Sequence, residues 1–154
     1  MWTADWCWKI QASFPRLENG SIVVPVILGS DKTMLLTFSG NKSAWPVYLS
    51  IGNLSKVKQR SVKSNGLILI GLLPRCPNGP KIHPIKIAYP ESMATMLHPL
   101  EEPVKSGIKI LCADGPTHHA YPRIASFLTD YPEQCNITGV KYVWCPRCEI
   151  DPDD

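Results

Sequence analysis

An α/β fold is predicted by three features of the chain: apolar, strand-like runs bounded by turn residues, helix-compatible periodicity between some of them, and acids standing where apolar runs end. The stretch 21–54, SIVVPVILGSDKTMLLTFSGNKSAWPVYLSIGNL, organises the rest. It holds three extended segments, 22–28, 34–38 and 45–51, and Asp31 follows the first. The first segment is rich in Ile and Val and has no charge, which suits a strand buried on both faces of a sheet. Gly29 and Ser30 then lead the backbone toward solvent just as a carboxylate appears, and Ser39-Gly40-Asn41 makes a turn before the third strand. This is the opening of a nuclease-like α/β domain that needs a second acid elsewhere.

The remaining elements follow in order. Residues 1–20 carry Trp2, Trp6 and Trp8 and read as the end of a helix; three tryptophans so close together have little to dock on locally, so core packing elsewhere is expected of them. Residues 55–65 are basic and polar and read as a solvated loop, whereas 66–73, GLILIGLL, are a continuous apolar run suited to a buried strand or short helix. Five prolines, at 74, 77, 80, 84 and 90, predict a surface connection without regular helix. Met93, Met96, Leu97 and Leu100 give residues 91–100 one apolar helical face, ended by Pro99 and Pro103. Residues 108–112, IKILC, form the next strand and run into Ala113-Asp114-Gly115-Pro116. A helix is predicted from His118 to Leu128, with Pro122 in its first turn, closed by 130–134 and followed by a strand at 140–144.

Composition narrows the functional classes. A chain of 154 residues with 44% hydrophobic and 19% charged residues can bury a core and is not a disordered tail. The net charge of +3 does not by itself imply a nucleic-acid partner, but Lys56, Lys58, Arg60 and Lys63 cluster and permit one. No apolar stretch approaches the roughly 20 residues of a membrane span, and the first residues lack the pattern of an export signal, so an intracellular protein is expected. On that reading the sequons at Asn41, Asn53 and Asn136 are chance matches, and six scattered cysteines do not make a disulfide scaffold.

Two constellations carry chemistry. Asp31 and Asp114, each after an apolar strand, fit the oxygen-ligand requirement of paired Mg²⁺ or Mn²⁺ ions in phosphoryl transfer; Asp130 is a rival second acid whose position near a helix end suits a cap. Cys145-Pro146-Arg147-Cys148 is half of a tetrahedral zinc site, with Cys135, His118, His119 and His83 as candidates to complete it, none at a convincing spacing.

The phrases VVPVILGSDKT, SGNKSAWPVYLSIGNLSK, LILIGLLP, GIKILCADG, LTDYPEQC and CPRC, in this order, resemble the transposases of fungal Plavaka-type DNA transposons, related to the CACTA and Kyakuja-Dileera-Zisupton transposases. The resemblance runs in pieces from Trp6 to Cys148. It implies an RNase H-like fold of mixed sheet and flanking helices, in which an acidic triad binds two divalent ions for DNA cleavage and strand transfer. Asp31 would be the first acid and Asp114 the second, with Asp130 the alternative, and Cys145 and Cys148 would open a zinc-binding insertion. Residues 1–20 would be an N-terminal aromatic segment, 21–144 a partial catalytic domain and 145–154 the start of the insertion. The third acid and the closing helix would lie beyond Cys148, so the chain is expected to be an interior part of a transposase, inactive alone and nuclear if functional. The rival expectation is a non-enzymatic nucleic-acid or protein-binding module using Lys56, Lys58, Arg60 and Lys63.

Overall fold

The computed structural model describes residues 5–14, 20–34, 43–73, 83–113, 115–138, 140, 144–146 and 148. In chain order the elements are helix α1 (Asp5–Ser13), strands β1 (Ser21–Ser30), β2 (Thr33–Met34) and β3 (Ser43–Ile51), helix α2 (Lys56–Arg60) with a 3₁₀ turn at Val62–Ser64, and strand β4 (Ile68–Leu73). Helix α3 (His83–Leu97), a 3₁₀ turn at His98–Leu100, helix α4 (Glu101–Ser106), strands β5 (Ile108–Leu111) and β6 (Thr117–Leu128) and helix α5 (Tyr131–Thr138) complete the order. The fold is a mixed α/β arrangement with a central sheet and flanking helices.

The strands are ordered β2-β3-β1-β6-β5, with β4 paired to β3. Two hairpin-like pairs are antiparallel: β2 with β3, where Thr33 faces Ala44, and β5 with β6, where Ile108 faces Ala120 and Leu111 faces Thr117. The β1 and β6 pair runs the other way. Gly20, at the head of β1, has its carbonyl oxygen 2.9 Å from Nδ1 of His118, at the head of β6. At the tails, a β-carbon built on Gly29 would stand 3.7 Å from the Leu128 carbonyl oxygen. Heads meet heads and tails meet tails, so β1 and β6 point in the same direction and the sheet is mixed.

The chain divides into two compact units. One comprises Met1–Leu28, Leu49–Ile68 and Leu97–Phe127. Its buried side chains include Cys7, Val23, Val26, Leu28 and Ala120. Here the Arg123 guanidinium donates to the Val104 carbonyl and lies 4.7 Å over the Phe14 ring, which in turn stands 5.1 Å from the Tyr121 ring. The turn after β3 is tied to β1 by Gly52 N–H donating to the Pro25 carbonyl at 2.7 Å and by the Asn53 amide donating to the Val23 carbonyl. The other unit comprises Gly29–Tyr48, Leu69–Met96 and Leu128–Asp154. Its core is Val47, Leu73 and Tyr89, with Trp45, Ile70, Met93, Met96 and Ile137 packed against them. Gly71 gives Met96 its place, since a β-carbon there would meet the Met96 methyl at 2.5 Å.

Several sequence expectations are corrected. Residues 118–128 are strand, not helix: Pro122 sits too deep for a helix's first turn and would remove an internal hydrogen bond, whereas an extended backbone accepts its fixed φ. The supposed helical stripe is no buried face either, since Ile124 and Leu128 are exposed. Conversely, part of the proline-rich segment is helical. Pro84 is the second residue of α3, where a missing N–H costs nothing, and only Pro90 interrupts its interior. Pro103 likewise falls in the first turn of α4 and starts a helix rather than ending one. The basic loop contains the short helix α2, whose N-cap Ser55 accepts from the Lys58 N–H. The apolar run before Pro74 is a strand, but exposed at Leu67, Ile68, Leu69 and Leu72, because β4 has β3 as its neighbour and lies at the side of the sheet path. In α1, Trp8 is 61% exposed and Trp6 half-buried, while Cys7 is the buried residue. The expected strand at 34–38 is described as β2 only to Met34; residues 35–38, like Trp2 and 141–143, lie outside the described residues.

Candidate acidic strand-end site

Strand β1 ends in Gly29-Ser30 and hands over to Asp31; strand β6 ends at Leu128 and hands over to Thr129 and Asp130. Because the two strands are parallel neighbours with their tails side by side, both acids stand at the same end of the sheet. Both are exposed. Asp31 is exposed because the backbone leaves the sheet there: Thr33 Oγ1 donates back to the Asp31 carbonyl at 3.3 Å, turning the chain toward β2. Lys32, the next residue, lies with its ammonium 5.4 Å from the Trp45 ring centroid.

Asp130 is fixed by the start of α5. Its Oδ1 accepts from the Glu133 N–H at 3.0 Å, and its carbonyl accepts from the Gln134 N–H at 3.0 Å, so it is the N-cap of that helix. The Glu133 carboxylate reaches back in a variant of the capping box, accepting from the Thr129 hydroxyl one residue before the cap. Pro132, in the first helical turn, forfeits no internal bond. The cap role anticipated for Asp130 is therefore present, and it leaves the second carboxylate oxygen available to a ligand.

Behind the two acids lies a buried polar group that sequence reasoning missed. Ser30 is 3% exposed, Tyr89 6% and Glu133 2%. Burial pushes the Tyr89 phenol up to about 12, the Glu133 and Asp130 carboxylates push it further the same way, and an interaction with Ser30 offsets part of the shift. The phenol and the Ser30 hydroxyl interact without forming a hydrogen bond of ordinary geometry, and Oε1 of Glu133 is likewise unsatisfied. A usable sequence signal exists for Glu133, an acid three residues after an N-cap Asp. For Tyr89 there is none, since it lies between prolines whose number argues against helix.

Of the other sequence-identified residues, Asp114 lies outside the described residues. The hairpin around it closes with Cys112 N–H donating to the Pro116 carbonyl and Gly115 N–H to the Cys112 carbonyl, both at 3.0 Å. Lys56, Lys58, Arg60 and Lys63 are all exposed on α2 and the turn after it, and the ion pair among the described residues is Lys105 with Glu102. Cys145 is half-buried and Cys148 exposed. Buried Cys135 on α5 places its sulfur 4.0 Å from the Trp144 carbonyl oxygen, next to Cys145. Even so, no group of three His, Cys, Asp or Glu side chains poised to hold a metal exists among the described residues. Cys7, Cys112 and Cys135 are free thiols, which argues against a disulfide scaffold.

A family model for the Plavaka transposase matches residues 1–154. The chain belongs to the Plavaka transposase family. The match spans the same length as the ordered phrases from SDKT to CPRC, so the Plavaka assignment and the resemblance coincide. No curated protein and no solved structure matches this Plavaka chain.

Proposed function

We propose that this chain is part of the catalytic domain of a DDE-type DNA transposase with an RNase H-like fold, in which Asp31 and Asp130 are two of the acids that hold Mg²⁺ or Mn²⁺. The observation that carries the reading is the pair of exposed carboxylates following two parallel, adjacent strands. Their donor set fits the group: hard divalent ions take carboxylate oxygens, and both side chains have oxygen to offer. When bound, such ions supply charge stabilisation for attack on a phosphodiester. The chain's own contribution is to present the two carboxylates on turns pinned by the end of β1 and the cap of α5. Asp130 is preferred here to Asp114 as second acid because β6, not β5, neighbours β1.

Transposon DNA is the partner of this reading, with Lys56, Lys58, Arg60 and Lys63 contacting phosphates, and the site of action is the nucleus of a fungal host. Cys145 and Cys148 supply two thiolates to a structural zinc ion whose other ligands come from elsewhere. In the intact transposase the domain cleaves and joins DNA, whereas this chain alone is inactive for want of a third acid.

The test is Mn²⁺ binding by titration calorimetry, with nicking of labelled duplex DNA measured beside it. Binding is expected in the native chain and in Asp114→Asn, and is lost in Asp31→Asn and Asp130→Asn. Loss in Asp114→Asn with retention in Asp130→Asn would transfer the second acid to Asp114. Nicking that disappears in Asp31→Asn would overturn the expectation of inactivity and require a third ligand within these residues.

A further inference from the structure

The buried trio of Ser30, Tyr89 and Glu133 lies directly behind both acid-bearing turns. Ser30 is bonded in sequence to Asp31, and Glu133 is tied to the other turn twice, through its N–H to Asp130 and its carboxylate to Thr129. Tyr89, from α3, is the group that senses both, interacting with Ser30 and with the carboxylates of Glu133 and Asp130. As a structural device the trio is poor. Three polar atoms, Oγ of Ser30, Oη of Tyr89 and Oε1 of Glu133, are buried without a well-formed hydrogen bond, and each such atom costs about 1–3 kcal/mol. An apolar group of the same shape in place of the phenol would serve the core of Val47, Leu73 and Met93 as well or better.

We infer that Tyr89 is a positioning residue that, through Ser30 and Glu133, sets the separation of Asp31 and Asp130 for divalent-ion binding. This rests on the reading of Asp31 and Asp130 as ion ligands. The hydroxyl, not the ring, is the functional part. It links a turn on β1 to a turn on β6 from a third element, so movement of either acid is resisted by the other two segments. The arrangement corresponds to the outer groups around metal sites, which fix the ligands without touching the ion and whose loss weakens binding by roughly 10–100-fold.

The experiment is a Mn²⁺ titration followed by electron paramagnetic resonance on the whole chain, paired with thermal unfolding in the absence of metal. The variants are Tyr89→Phe, Glu133→Gln, Glu133→Ala, Asp31→Asn and Asp130→Asn. Tyr89→Phe is expected to weaken Mn²⁺ binding roughly 10-fold or more while leaving metal-free unfolding unchanged or slightly higher, a split that a purely structural tyrosine would not produce. Glu133→Gln, which keeps an acceptor for Thr129, should retain more binding than Glu133→Ala. Native-like Mn²⁺ affinity in Tyr89→Phe, with Asp31→Asn and Asp130→Asn still losing it, overturns the positioning role and leaves the acid pair intact. Native-like affinity in the two Asp→Asn variants, or no binding by the native chain, overturns the acid pair and the positioning role with it.

Discussion

Gly107 shows how a single residue fixes a junction that helices and strands alone would leave open. It ends α4 with φ +71°, a conformation costly for side chains other than glycine, and its N–H donates to the Pro103 carbonyl at 3.0 Å. A β-carbon there would also stand 2.7 Å from Nε2 of His119 and 2.9 Å from a Tyr121 ring carbon, so the strain and the clash act together. Gly107→Ala is therefore expected to destabilise by about 1–3 kcal/mol, visible as a lowered denaturation midpoint with an unchanged slope. Asp130 offers a substitution that separates two roles. Asn caps a helix as well as Asp does, so Asp130→Asn should keep α5 and lose the ion, whereas Asp130→Ala should lose both, at a further cost of about 1 kcal/mol in stability. Circular dichroism and Mn²⁺ titration on the two variants check this; equal stability of Asn and Ala would deny the cap. Asp31 is legible in the sequence because an acid after an uncharged apolar strand stands out. Asp130 is visible there only as a cap, because the spacing of the preceding residues imitates a helix.

That imitation belongs to the scale of elements. Residues 117–128 combine Ala120, Ile124, Phe127 and Leu128 at helix-like intervals with Thr117, Tyr121 and Ile124, which favour strand, and periodicity alone does not decide between them. Pairing decides it: β6 gains β5 on one side and β1 on the other, and Ala120 and Pro122 turn inward on alternate positions. The strands β1, β3 and β5 are legible because each is short, uncharged or alternating, and bounded by turn residues. Helix α3 is hidden because the number of prolines says nothing of where in the helix each one falls. Helix α2 has a consequence for DNA. Lys56, Lys58 and Arg60 follow N-cap Ser55 on one exposed turn, and Lys63 follows on the next. Replacing Lys56, Lys58 and Arg60 by Gln should weaken duplex binding about equally for all sequences. It should also flatten the plot of log affinity against log salt by about 0.9 for each phosphate no longer neutralised. An unchanged salt slope would remove this face from the interface.

At the scale of the whole molecule, each compact unit is assembled from three segments far apart in sequence, so neither is complete until the chain's last third is in place. Contacts of such long sequence separation are closed at high entropic cost, and composition gives no hint of them. The core around Val47, Leu73 and Tyr89 is an instance: its members come from β3, β4 and α3, and Ile137 is added from α5. Tyr89 ties global stability to pH in a direction that can be worked out. Its phenol titrates at about 12 in the folded chain against about 10 when unfolded, because burial and the nearby carboxylates oppose the phenolate. Below pH 10 the phenol is neutral in both states and the native state keeps its full stability. Between pH 10 and 12 the unfolded chain releases the proton first, so it binds fewer protons than the native chain and stability falls as pH rises. Urea unfolding of the native chain and of Tyr89→Phe from pH 8 to pH 12 isolates this contribution from that of the other tyrosines and the lysines. The two chains should run together to about pH 10 and then diverge, with Tyr89→Phe losing less. Parallel curves throughout would mean that the phenol reaches solvent in the native state, and that the polar cluster behind the acids is not the closed group its burial describes.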